Sequence, residues 1–156
     1  MRIVIFGGSS QSTPVLFQCL TGISHSELTV TLIGRSRANL AAVERAAKLL
    51  LGHSRLSITC AGIQEPAVQM SLVDAHIVII QVRVGGYRGR AYDETFPLKF
   101  GVCGDEGLGP GGLSAAWRAW PTVRKILSQV QEIAPEALVL MLTSPVGILV
   151  RAARRL

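Results

Sequence analysis

A chain of 156 residues that is 49% hydrophobic and only 17% charged is of single-domain size and can bury a core, which excludes intrinsic disorder. Thirteen arginines and three lysines against 10 acids give a net charge of +6. The basic residues are scattered, and their one cluster, Arg151-Ala-Ala-Arg-Arg155, suits a helix C-terminus, so the expectation is a solvated face with small-anion sites and no nucleic-acid partner.

Taken in chain order, Arg2–Phe6 reads as a strand stopped by Gly7-Gly8, and Ser12–Leu20 as a helix with Pro14 tolerated in its first turn. Leu28–Ile33 alternates β-branched and apolar residues and predicts a second strand. Arg37–Leu51 carries Leu40, Val43, Ala47 and Leu50 at helical spacing. Leu56–Cys60 predicts a third strand, Pro66–Leu72 a short helix, and Ala75–Val82 a fourth, buried strand. Tyr87–Phe100 predicts one helix with Tyr92, Phe96 and Phe100 on one face, and Leu113–Ile133 a long one. Ala137–Leu142 is a fifth strand, stopped by Thr143-Ser144-Pro145, and Val146–Arg154 a closing helix. No apolar run reaches bilayer length, so a soluble, cytoplasmic protein without a membrane partner is expected. Three cysteines without CxxC spacing, Cys19, Cys60 and Cys103, argue against a disulfide framework and a structural zinc site and read as small buried apolar residues. His25, His53 and His76 fall in no motif. Strands alternating with helices predict an α/β fold: a Rossmann-like, doubly wound parallel sheet in three layers, with residues 1–156 as one domain.

Four segments carry candidate chemistry. Phe6-Gly-Gly-Ser-Ser-Gln-Ser-Thr-Pro14 joins the first strand to the first helix. Glycines there let backbone approach a pyrophosphate whose charge rests on a helix N-terminus, so Gly7, Gly8, Ser9, Ser10 and Thr13 are candidate dinucleotide-binding residues. Ser9 stands where the full G-x-G-x-x-G pattern has its second glycine, and a plain strand-to-helix turn is the alternative. The second strand ends in Gly34-Arg-Ser-Arg37 rather than in the acid that holds a ribose 2′-hydroxyl. Arg35 and Ser36 therefore suit the 2′-phosphate of NADP, with Ser36 also placed to cap the next helix. The fourth strand runs into Gln81-Val-Arg-Val-Gly-Gly86, which sets Gln81 beside the cofactor and Arg83 at a strand's carboxyl end, where open α/β sheets bind ligands. Farther on, Gly104-Asp-Glu-Gly-Leu-Gly-Pro-Gly-Gly112 packs five glycines around two carboxylates, more special backbone than a connector needs.

These motifs together resemble the N-terminal part of glycoside hydrolase family 4: Gly7-Gly8 with Thr13-Pro14, then Gln81-Val-Arg-Val-Gly-Gly86, then Asp93-Glu94 before Pro97-Leu-Lys-Phe-Gly101, then Glu106 followed by Gly109-Pro-Gly-Gly112. The Val-Gly-Gly and Leu-Lys wording is nearest the 6-phospho-β-glucosidase branch. The resemblance implies NAD as cofactor and manganese in the full-length family. It also implies hydrolysis of 6-phosphoglycosides by oxidation at C3 followed by elimination, outside the two-carboxylate scheme. Carried over by position, Arg83 meets the substrate phosphate, Glu106 lines the sugar site, and Gly7, Gly8 and Ser9 cradle the pyrophosphate. Asp93 and Glu94 read as structural, pairing with Arg88 or Arg90.

Departures from the family pattern are part of the same reading. Ser144-Pro145 stands where the family has Asn-Pro, which leaves Ser144 as a substrate contact with fewer hydrogen bonds to offer. The family's metal-binding Cys and His and its candidate base match no residue of this chain, so no catalytic or metal residue is assigned within it. The chain is expected to bind dinucleotide and phosphosugar without turning over a glycoside, and to self-associate through exposed apolar surface. A non-catalytic dinucleotide module and a fragment of a hydroxy-acid dehydrogenase are the alternatives.

Overall fold

The computed structural model describes residues 1–23, 27–51, 56–63 and 66–156. Five strands, β1 (Arg2–Phe6), β2 (Leu28–Gly34), β3 (Leu56–Gly62), β4 (Ile77–Ile80) and β5 (Leu138–Met141), form one sheet in the order β3-β2-β1-β4-β5. Strand β1 lies parallel to both β2 and β4, with Ile3 opposite Val30 on one side and Ile77 on the other. The strand order reverses at β1, so the carboxyl ends of β1 and β4 flank the topological switch point of a Rossmann-like sheet. The helices are α1 (Thr13–Ile23), α2 (Arg37–Leu51), α3 (Ala67–Leu72), α4 (Gly86–Thr95), α5 (Gly109–Ile133) and α6 (Val146–Ala153), with a 3-10 helix at Phe96–Phe100.

Two compact units make up the chain, Met1–Gln81 with Val130–Leu140, and Val82–Gln129 with Met141–Leu156. The first unit owes its core to period-two alternation meeting helical stripes. Ile3, Ile5, Val30, Leu32 and Ile79 of the strands pack with Phe17 of α1 and Leu40, Val43 and Ala47 of α2. Their neighbours Val4, Phe6, Val78 and Ile80 point the other way and are equally buried, as strands covered on both faces require.

The predicted helix over 87–100 is two elements. Pro97 lacks the N–H that an α-helix would use and would crowd the carbonyl four residues back, so α4 stops at Thr95 and the chain tightens into the 3-10 helix. Conversely, α5 starts at Gly109 rather than Leu113, because Pro110 fits a first turn whose N–H groups have no partner in any case. The cysteines are exposed, not buried. Cys19 lies two residues from the buried Phe17 on α1 and so faces outward, Cys60 sits on the edge strand β3 beside inward-facing Ala61, and Cys103 is in the segment before α5. His76 accepts the Arg2 backbone N–H on Nδ1 at 3.2 Å, while His25 and His53 lie outside the described residues. Among the described residues no helix is long and apolar enough to cross a membrane.

Candidate functional site

In the first unit, the segment after β1 is built for close approach. Gly7 has φ +87°, a conformation that side chains disfavour, and the amides of Gly7 and Gly8 both donate to the Ile33 carbonyl at 2.9 and 3.0 Å. A Cβ on Gly8 would lie 2.7 Å from Leu32 Cβ and 2.9 Å from Leu32 Cα, so only glycine lets the turn rest on β2. The turn then closes through Ser10 N–H donating to the Gly7 carbonyl and Thr13 N–H donating to the Ser10 carbonyl, each at 3.1 Å. Beneath it, Gln81 Nε2 donates to Thr13 Oγ1 at 3.0 Å and to the Gly7 carbonyl at 3.3 Å. Thr13 is fully buried. Thr13 thus braces the turn from inside, Gln81 holds it through its side-chain amide while partly exposed itself, and the partly exposed Ser9 and Ser10 form its surface.

At the neighbouring end of β2 the capping role expected of Ser36 is observed. Ser36 Oγ accepts the Asn39 N–H at 3.2 Å, capping α2. Arg35 is exposed beside it. A Cβ on Gly34 would come within 3.1 Å of Ser9 Oγ, which links the two loops.

The second unit gathers the other candidates. Arg83 Nη1 donates to Glu106 Oε2 at 2.7 Å, and the Arg83 guanidinium carbon lies 5.6 Å from the centre of the Tyr87 ring, within cation–π range. The other Glu106 oxygen is 3.7 Å from Arg90 Nη1, and Arg90 Nε donates to Glu94 Oε1 at 2.7 Å. The Glu94 hydrogen bond, reinforced by the charge of Glu106, holds the Arg90 guanidinium above its usual range. Ser144 precedes a cis Pro145, and its Oγ would be 3.7 Å from a Cβ on Gly107, the residue after Glu106. Arg83 and Glu106 are therefore brought together from separate segments, and Ser144 lies against Gly107, the residue after Glu106.

A residue that sequence reasoning missed fixes this arrangement. Arg118 of α5 donates through Nε to the Val84 carbonyl at 3.1 Å, through Nη1 to Asp93 Oδ1 at 3.1 Å, and through Nη2 to Asp93 Oδ2. The Asp93 side chain is 1% exposed; a buried carboxylate is tolerated only when paired this fully. A Cβ on Gly85 would sit 2.8 Å from Arg118 Nε, and one on Gly89 3.1 Å from it. The signal was present in Gly85, Gly89 and Asp93, a four-residue spacing that makes a slot on one helix face ending in an acid. Asp93 thus pairs with Arg118, and Glu94 with Arg90 as expected. The glycine-rich segment has the same logic: a Cβ on Gly104 would lie 1.7 Å from the Glu94 carbonyl oxygen, and one on Gly111 2.4 Å from that of Asp93. Asp105 Oδ1 accepts the N–H groups of Gly107 and Leu108 at 2.5 and 3.0 Å, turning the chain into α5. Among the described residues no three His, Cys, Asp or Glu side chains converge as a metal-ligand set.

Comparison with known proteins gives the family of the chain. A model for family 4 glycosyl hydrolases matches residues 2–156. A 6-phospho-β-glucosidase of Thermotoga maritima is 36% identical over 153 residues, 94% of this chain and 34% of that protein. A maltose-6′-phosphate glucosidase of Bacillus subtilis is 32% identical over 158 residues, 99% of this chain and 34% of that protein. A crystal structure of the Thermotoga maritima 6-phospho-β-glucosidase with manganese, NAD+ and glucose 6-phosphate superposes with a TM-score of 0.83 at 34% identity, covering 93% of this chain and 35% of the other. The chain spans about a third of the length of the curated relatives it matches.

Proposed function

The chain belongs to the family 4 glycosyl hydrolases, and from that premise we propose that it is the dinucleotide-binding region of an NAD-dependent enzyme acting on 6-phosphoglycosides. The observation that carries this reading is the pairing of Arg83 with Glu106 at 2.7 Å, an anion receptor and a hydroxyl acceptor held on two separate glycine-bounded segments.

The turn after β1 fits the dinucleotide. Gly8 leaves the space that a Cβ would fill, Ser9 and Ser10 offer hydroxyl donors, and the N-terminus of α1 favours negative charge. Arg35 and Ser36 take the adenosine end. When bound, NAD supplies a hydride acceptor for C3 of the sugar, and the resulting ketone acidifies the C2 proton. Arg83 holds the 6-phosphate as a charge-assisted pair. Glu106, relieved of Arg83, accepts hydrogen bonds from sugar hydroxyls while its other oxygen stays beside Arg90. Ser144 adds one hydroxyl contact. Manganese does not fit the described residues, which bring no ligand set together, so no step of the reaction is assigned to a metal held by them.

Calorimetry of the purified chain with NAD and with NADP tests the cofactor reading. Saturable binding is expected, and no binding of either refutes it. An NAD affinity at least tenfold above that for NADP shows that Arg35 does not select a 2′-phosphate. The chain alone is expected to release no nitrophenol from a nitrophenyl 6-phosphoglucoside with manganese and NAD, and turnover overturns the view that its catalytic groups are absent.

A further inference from the structure

The basic cluster that ends the sequence has no role in the site above, yet it lines a cavity. In the second unit, α5 and α6 with the residues after it enclose an open groove of about 630 Å3, lined by Trp120 and Arg124, by Ile148 and Arg151, and by Arg155 and Leu156. None of Arg83, Glu106 or Ser144 lines it. That volume is the size that accommodates a small organic ligand.

Charge sets this groove apart. Arg83, Arg90 and Arg118 each have a carboxylate partner. Among the described residues, no ion pair engages Arg124, Arg151 or Arg155. Three guanidinium groups around one cavity repel one another, and an anion among them offsets that repulsion. Each also presents a planar fork that matches the oxygens of phosphate or carboxylate. The remaining walls are apolar: Trp120 offers a half-buried flat ring, Ile148 and Leu156 aliphatic surface. An inorganic ion would use the arginines and leave these walls wet. A molecule with a flat apolar body and one anionic group uses both.

We propose that the groove bounded by Trp120, Arg124, Arg151 and Arg155 is a binding site for a small organic anion with a flat apolar body bearing a phosphate or carboxylate, separate from the site of Arg83 and Glu106. A nucleic-acid strand fits less well, because successive bases need a track of aromatic platforms and this groove has one.

The probe is 2-naphthyl phosphate, titrated into the 156-residue chain by calorimetry and by the indole N–H resonance of Trp120, which Trp117→Phe distinguishes from the other tryptophan. Saturable binding with a shift at Trp120 is expected, at least tenfold tighter than 2-naphthol or inorganic phosphate. Arg151→Gln with Arg155→Gln should weaken it at least tenfold, and Arg124→Gln alone at least threefold, which decides the matter if the double variant fails to fold. Arg45→Gln with Lys48→Gln, removing the same charge from α2, should leave affinity within twofold. Absence of a saturable shift at Trp120, equal binding of inorganic phosphate, equal loss in the α2 variant, or affinity for oligonucleotides that grows with their length would each overturn the proposal.

Discussion

Replacing Asp93 by Asn tests whether the buried ion pair holds the Arg83 segment in place. The substitution keeps the shape and removes the charge. One Asn nitrogen then faces an Arg118 nitrogen, donor against donor, where two charge-assisted hydrogen bonds stood. Breaking a buried pair by removing one partner costs about 3–5 kcal/mol. Arg118 keeps 28% of its side chain exposed, so water relieves it in part and the loss belongs at the lower end, about 3 kcal/mol. Against a total stability of about 5–15 kcal/mol this is large. For a chain of this size about 1 kcal/mol moves the melting temperature by roughly 2–4 °C, so a fall of about 6–12 °C is expected. Urea denaturation and thermal melts measure it, with Glu94→Gln as the internal comparison. Glu94 pairs with Arg90 in the open, at 37% and 44% side-chain exposure, and its loss should cost less than about 1 kcal/mol. If Asp93→Asn costs no more than Glu94→Gln, the argument that burial makes the Arg118 pair structural is wrong.

Gly8→Ala forces a methyl group onto Leu32 at 2.7 Å, so NAD binding should fall at least tenfold in calorimetry with about 1–3 kcal/mol of lost stability, the usual cost of overpacking; unchanged affinity would show that the turn does not receive the cofactor. Cys60 is exposed as a residue, but its sulfur is turned toward the Leu40 carbonyl, and this partial burial, with the Glu44 carboxylate beside it, pushes the thiol up to about 11. A thiol whose folded value is raised holds its proton better when folded, so its contribution to stability is present below the unfolded value and is lost as pH rises through about 11. At pH 8 iodoacetamide should therefore label Cys60 more slowly than Cys19 and Cys103, by peptide mass mapping, and equal rates would contradict this. Glu106→Gln frees Arg83 from its carboxylate, so inorganic phosphate should bind more tightly while the preference for glucose 6-phosphate over inorganic phosphate drops about tenfold, roughly 1.4 kcal/mol; an unchanged preference would deny Glu106 a part in reading the sugar.

The central strands β1 and β4 were legible as short apolar runs that a parallel sheet buries on both faces, and β2 and β3 as alternating runs ended by glycine. Helix ends were less so. Gly109-Pro-Gly-Gly112 has the composition of a loop, yet its proline suits a first turn, and at Pro97 the helical spacing of Tyr92 and Phe96 outweighed a breaker that the backbone obeys. Their rings still stack, with centroids 5.2 Å apart, so the period was right and the continuity was not. Arg83 and Glu106 were each visible through their glycine-rich settings. Their pairing was not, because no pattern links side chains 23 residues apart. Arg118 sits in a helix between Trp117 and Ala119 with no motif around it, and only its partners mark it. Thr13 shows the reverse: in sequence its hydroxyl reads only as a donor to a ligand, and its burial and the hydrogen bond it accepts from the Gln81 amide, which brace the turn, were not visible there.

The cluster around Glu106 explains how such a site would discriminate. Arg83 and Arg90 contribute two positive charges, Glu94 and Glu106 two negative ones, joined by contacts of 2.7 to 3.7 Å. An arriving phosphate meets a neutral group rather than a bare cation, and charge alone gives it little advantage. Taking Arg83 from Glu106 leaves a carboxylate that is only 20% exposed without its shortest hydrogen bond, at a cost of about 1–3 kcal/mol unless new donors replace it. Under the proposed function, a phosphorylated sugar would carry both a group for Arg83 and the hydroxyls that Glu106 would then lack. A phosphate without hydroxyls carries only the first. Specificity in this reading comes from the penalty on the incomplete ligand as much as from attraction to the complete one.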